Sequence, residues 1–178
     1  LAEGHGAGFT PERFEKEIAN INAMPADQLK ELIESGEYVP SYMWNQNGWL
    51  CSKMKLHVTS QTQKCYPTTH TEDLFSQTLN ATIKAGDPTG MRAVVTTETE
   101  EGITLVTECV GKVFAPDEFD RNDWTFIGEP ETTVSVNKPA TVEMTCATIV
   151  NRIPQLIDAP AGYVTTDKYP YNEYCVHA

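Results

Sequence analysis

Hydrophobic positions change their spacing twice along this chain. Near the start, Phe14, Ile18 and Ile21 recur at helical intervals and predict one buried face. Thr10-Pro11-Glu12 begins that helix well: a hydroxyl to cap free amides, a proline suited to the first turn, and an acid against the positive end of the dipole. Pro25 opens a second helix carrying Leu29, Leu32 and Ile33, and Gly36 ends it. Residues 41–58 allow two readings. Tyr42, Met43, Trp44, Trp49, Leu50 and Met54 make a thick apolar face if Ser41 starts a helix, whereas Asn47-Gly48 suits a turn between extended pieces. The helix is preferred.

From Leu79 the period falls to two. Leu79, Ala81 and Ile83 alternate with polar residues, and Gly86-Asp87-Pro88-Thr89-Gly90 turns the chain. Residues 91–99 and 103–110 are β-branched and separated by Glu100-Glu101-Gly102, which predicts a hairpin. Residues 124–127 and 132–136 supply further strands. After Pro139 the helical period returns, with Val142, Cys146, Ile149, Val150 and Ile153 on one side. This last helix is expected to be buried, to stop at Pro154, and to lead into a short extended segment. With no internal repeat, the expectation is one α+β domain over residues 1–178: a mostly antiparallel sheet with helices packed on one face.

Composition narrows the function classes. The 178 residues carry a net charge of −12, which argues against nucleic acid or an anionic membrane as partner and inclines a small-molecule substrate toward the cationic. No apolar run is long enough to span a membrane, and no leader resembles a signal peptide. Cys51, Cys65, Cys109, Cys146 and Cys175 are odd in number and lack a Cys-x-x-Cys spacing. They are expected as reduced, mostly buried thiols in a cytoplasmic protein.

Few motifs point to chemistry. Gly4-His5-Gly6-Ala7-Gly8 has no room for the strand that a dinucleotide fingerprint requires before it, and is read as a flexible entry. His5, His57, His70 and His177 are isolated, so no metal site is expected. The acidic run 117–123 lacks the central glycine of a calcium loop and is read as a solvated connector. Aromatic residues with a few polar groups make better pocket candidates. Trp44 and Trp49 sit where a helix meets the sheet, and Thr145, Thr148 and Asn151 share roughly one face of the last helix. These five are the expected substrate pocket, with His57 as a further polar candidate. No catalytic acid or base is assigned.

Three stretches carry a resemblance: Gly8-Phe9-Thr10-Pro11-Glu12-Arg13-Phe14, the turn from Gly86 to Arg92, and Val150-Asn151-Arg152-Ile153-Pro154. They resemble the second half of the dihydrodipicolinate-reductase-like NAD(P)-dependent dehydrogenases, the group that includes diaminopentanoate and amine dehydrogenases. The resemblance implies a substrate-binding and oligomerisation domain acting on amine or imine C–N bonds, with NAD or NADP held by a nucleotide-binding half. Nothing like that half is present, so no cofactor is expected for the chain alone. Two other readings stand beside it: a stand-alone, cofactor-free lyase, isomerase or cyclase derived from the same domain, and a small-ligand-binding module. Adjacent apolar pairs in the strands (Val94-Val95, Leu105-Val106) give the sheet two faces to cover, which predicts a homodimer or a dimer of dimers.

Overall fold

The computed structural model describes residues 6–173. Expectations that fall on Gly4, His5, Cys175 and His177, and on the side chain of Ile21, lie outside the described residues. The fold is α+β with antiparallel sheets, and it divides into two compact units, Leu1–Val113 and Phe114–Ala178.

In the first unit, three helices, α1 (Pro11–Ala23), α2 (Ala26–Glu34) and α3 (Tyr42–Met54), precede the strands. The Thr10 hydroxyl accepts the Arg13 amide at 3.3 Å at the start of α1, and Phe14 is buried as its spacing predicts. Gly36, at φ +78°, ends α2. The ambiguity over residues 41–58 resolves as a helix. The Ser41 hydroxyl accepts the Met43 amide at 3.2 Å, and Lys55 terminates the helix in the left-handed region at φ 57°.

The main sheet has the order β1 (Val58–Thr69), β4 (Pro88–Thr99), β5 (Thr104–Lys112), all antiparallel. A small hairpin pairs β2 (Leu74–Ser76) with β3 (Ala81–Ile83). The β4–β5 hairpin forms as the period predicts, turning at Gly102 with φ +76°. Gly90 is required there, because a Cβ would lie 2.1 Å from the Gly111 carbonyl. The expected turn over residues 86–90 is shorter than predicted, since Pro88 already begins β4.

Strand β1 is the larger departure, because the strands, expected from Leu79 onward, begin at Val58. Its inward positions are Gln61, Gln63 and Cys65, level with Thr97, Val95 and Ala93 of β4. Polar residues at inward positions erase the apolar alternation. They are tolerated because the helices satisfy them: Gln61 Nε2 donates to the Trp44 carbonyl at 2.9 Å, and Gln63 Oε1 accepts the Ser41 amide at 2.8 Å. On α1, Asn22 closes the free edge of β1 like a missing strand, donating to the Cys65 carbonyl and accepting the Cys65 amide, both at 2.7 Å. The core lies between α3 and this sheet face. Asn47, fully buried, donates to Thr97 Oγ1 at 2.9 Å beside the fully buried Val95. The opposite sheet face is mixed: Val94 is half-buried, Val106 and Val110 are exposed, and Arg92 lies 3.5 Å from Glu108 and over the Tyr66 ring.

In the second unit, β6 (Arg121–Phe126) and β7 (Thr132–Asn137) form a two-stranded hairpin, followed by α4 (Thr141–Val150) and the short α5 (Ile153–Ile157). The acidic run is therefore only partly connector, since Arg121 to Asp123 belong to β6. The expectation of a buried last helix is corrected: no residue of α4 is buried, and Val142, Ile149 and Val150 are each more than half exposed. Pro154 begins α5 rather than ending α4, as a proline in a first turn can. The thiols divide similarly. Cys51 and Cys65 are buried, Cys109 is partly so, and Cys146 is exposed, against expectation.

Candidate functional site

Two grooves contain residues expected in the pocket, one in each unit. The larger, of about 500 Å³, belongs to the first unit and lies between α2, the start of α3 and the start of β1. Its walls are Ala26, Asp27, Lys30, Ile33 and Glu34 of α2, which share one helical face, together with Trp44. Its floor is Val58–Gln61, where the strand carries a bulge. Val58 faces Thr99 and Ser60 faces Glu98, so Thr59 is an extra residue without a partner in register.

Trp44 is the one expected pocket residue in this groove. Trp49 lies further along α3 with Lys53 Nζ 6.0 Å from its ring centroid. His57 is exposed, and its Nδ1 and backbone amide both bind the Glu101 carboxylate, at 2.6 and 3.0 Å. That hydrogen bond raises the His57 pKa, and the same contact holds Glu101 down at about 2. The pair ties the end of the α3–β1 connection to the β4–β5 turn. His57 Nδ1 is thus engaged by the Glu101 carboxylate. Burial raises the pKa of Cys51, Cys65 and Cys109, which disfavours the reactive thiolate.

The second groove, of about 340 Å³, runs along α4. Glu143, Met144, Ala147, Thr148 and Asn151 line it with Asn172 and Glu173. It brings Thr148 and Asn151 together and leaves Thr145 out. Both threonine hydroxyls donate back into their own helix, Thr145 to the Thr141 carbonyl at 2.8 Å and Thr148 to the Met144 carbonyl at 2.9 Å. Asn172 Nδ2 donates to the Thr148 carbonyl at 3.0 Å. The sequence reading missed Asp27, Lys30, Gln61 and Glu101. The charged stripe on α2 was visible at helical spacing. The facing strand residues were not, because their helix and strand are joined only by folding.

Among the described residues no group of three His, Cys, Asp or Glu side chains could hold a metal ion, and no helix is long and apolar enough to cross a membrane. Of the glycine-rich opening, Gly6 and Gly8 are among the described residues. The Gly8 amide donates to the Pro88 carbonyl at 2.9 Å, and a Cβ at Gly6 would meet the Phe14 ring at 3.0 Å, so these glycines serve packing within the chain.

No protein-family model matches the chain, and no curated protein matches it at a significant level. Among solved structures it is similar to the amine dehydrogenase from Mycobacterium smegmatis, with 31% sequence identity and a TM-score of 0.77. The match covers 98% of this chain and 47% of that one. The chain thus spans about half the length of that protein, and over that half it is dehydrogenase-like.

Proposed function

We propose that this chain is the substrate-binding and dimerisation half of an NAD(P)-dependent oxidoreductase acting on amine or imine C–N bonds. The likeness to one half of an amine dehydrogenase carries this reading. Surface chemistry supports it. Val142, Ile149 and Val150 of α4 and Ile153, Leu156 and Ile157 of α5 form an apolar ridge on each helix, each residue more than half exposed. A ridge of that kind in water marks a surface that another body covers. The mixed outer face of the main sheet, with Val106 and Val110 exposed, suits a two-fold contact with a second copy.

In this reading the companion half holds NAD or NADP, which supplies hydride transfer when bound. No step is assigned to this chain's own residues through the cofactor. Their part is to bind and orient a small, apolar-bodied amine or its carbonyl partner and to exclude water from it. Four described cysteines are free thiols, which suits a reducing compartment such as the cytoplasm.

The test is reconstitution. The chain alone should show no saturable NADH or NADPH site at micromolar concentration. Joined to the nucleotide-binding half of the amine dehydrogenase, it should oxidise NAD(P)H in the presence of a ketone and ammonia. Micromolar dinucleotide affinity of the chain alone, or an inert joined protein that binds the cofactor normally, would overturn the reading. Light scattering tests the dimer: a mass near 19.8 kDa rejects it, and about twice that supports it.

A further inference from the structure

The geometry points to the α2–β1 groove as a binding site for a small organic monocation, with Asp27 as counter-ion and Trp44 as the aromatic wall. The volume, about 500 Å³, lies in the range of small-molecule sites. Its charges do not cancel. Lys30 Nζ lies 3.7 Å from Glu34, one turn along the same helix, so that ammonium is already engaged. Asp27, in the first turn of the same helix, has no ion-pair partner among the described residues and leaves the groove's side chains with one net negative charge, offset in part by the helix N-terminus.

The floor presents acceptors. Gln61 donates its amide hydrogen to the Trp44 carbonyl, which fixes the side chain and leaves Oε1 to accept. The bulge at Thr59 interrupts the strand alternation beside it and brings Thr59 and Ser60 both into the lining. Ala26, Ile33 and Val58 supply apolar wall. A groove lined by a half-buried tryptophan, a carboxylate without an ion-pair partner and two hydroxyls favours an N–H-bearing cation with an apolar body over an anion. The overall charge of −12 adds long-range attraction of the same sign. The ligand class agrees with the amine chemistry proposed above, but it follows from these lining residues. It does not require a cofactor.

Titration of the 178-residue chain with cyclohexylammonium chloride, followed by two-dimensional 1H–15N NMR, tests the site. Cyclohexanol and cyclohexanecarboxylate are the neutral and anionic controls. NMR separates Trp44 from the other indoles, which fluorescence would not. Saturable shifts are expected at the Trp44 indole and at Thr59–Gln61 with the ammonium and with neither control. Asp27→Asn should weaken binding about two- to fivefold, the loss of one exposed charge contact, while Lys30→Gln should strengthen it about twofold by removing a like charge. Both positions are exposed on α2, and preserved spectral dispersion verifies folding. The absence of saturable shifts in the groove, equal binding of cyclohexanol, or insensitivity to both substitutions would overturn the site. Shifts confined to the α4 groove would also overturn it, yet leave the oxidoreductase reading standing. Failure of the reconstituted hydride transfer would leave this cofactor-free result untouched.

Discussion

The two units invert the usual placement of polar and apolar residues. In the first, polar side chains stand inside: Asn47, Gln63 and Thr97 are buried, and each has hydrogen-bond partners on a neighbouring element or strand. In the second, apolar side chains stand outside. Trp124, Phe126, Val134 and Val136 share one face of the β6–β7 hairpin and are all exposed, while Arg121–Asp123 and Thr125–Thr133 pair on the other face. A two-stranded hairpin with an uncovered apolar face is marginal in water. The first unit pairs most of its buried polar groups internally, although Asn47 Oδ1 and Thr107 Oγ1 are buried without a hydrogen-bond partner. The second leaves its apolar side chains exposed.

That contrast can be broken most sharply by substitution at one residue in each unit. Leu29 on α2 is 1% exposed, and Leu29→Ala should cost about 3 kcal/mol in denaturant unfolding through lost burial and a cavity. Ile149→Asp on the α4 ridge should change the stability of the chain alone by no more than about 0.5 kcal/mol, because Ile149 buries little there. In the joined dehydrogenase the same Ile149→Asp should impair assembly. A large loss in the isolated chain would mean the ridge is already covered.

A smaller effect is expected at the free edge of β1. Asn22→Ala leaves the Cys65 amide and carbonyl without their 2.7 Å partners, which should cost about 1–2 kcal/mol. It should also favour strand addition between copies, visible as a concentration-dependent mass in light scattering. An unchanged stability and mass would show that the edge is satisfied some other way.

The smallest effect is set by pH, at the His57–Glu101 pair. The raised His57 pKa gives stabilisation that is fully present below its ordinary value near 6.5 and is lost as pH rises through the folded value. Glu101, lowered to about 2 from an ordinary value near 4.5, stabilises above 4.5 and loses that contribution as pH falls through about 2. Both contributions are complete between pH 4.5 and 6.5. Both groups face solvent, so the amplitude is small and should shrink further with salt. Glu101→Gln should flatten the fall in unfolding midpoint as pH rises above about 6.5. The same fall in E101Q as in the unaltered chain would assign it to other groups.

Local chemistry determined much of the fold. The caps at Thr10 and Ser41, the glycine at position 36 and the β-branched runs around Gly102 each act over a few residues, so α1, α2 and the β4–β5 hairpin were legible locally, and α3 was the preferred of two readings. Strand β1 was not, because Gln61 and Gln63 face inward and the groups that satisfy them, the Trp44 carbonyl and the Ser41 amide, lie 17 and 22 residues away. The apolar stripe of α4 was equally plain, but whether it is buried depends on what packs against it, and periodicity records only that a face is apolar. The same limit governs the candidate sites. The sequence offered Trp44 with Thr148 and Asn151 as one pocket. Folding assigned Trp44 to a groove with Asp27 and Gln61, and Thr148 and Asn151 to another on α4. Convergence of side chains from distant elements is a property of packing, and only the tertiary structure decides it.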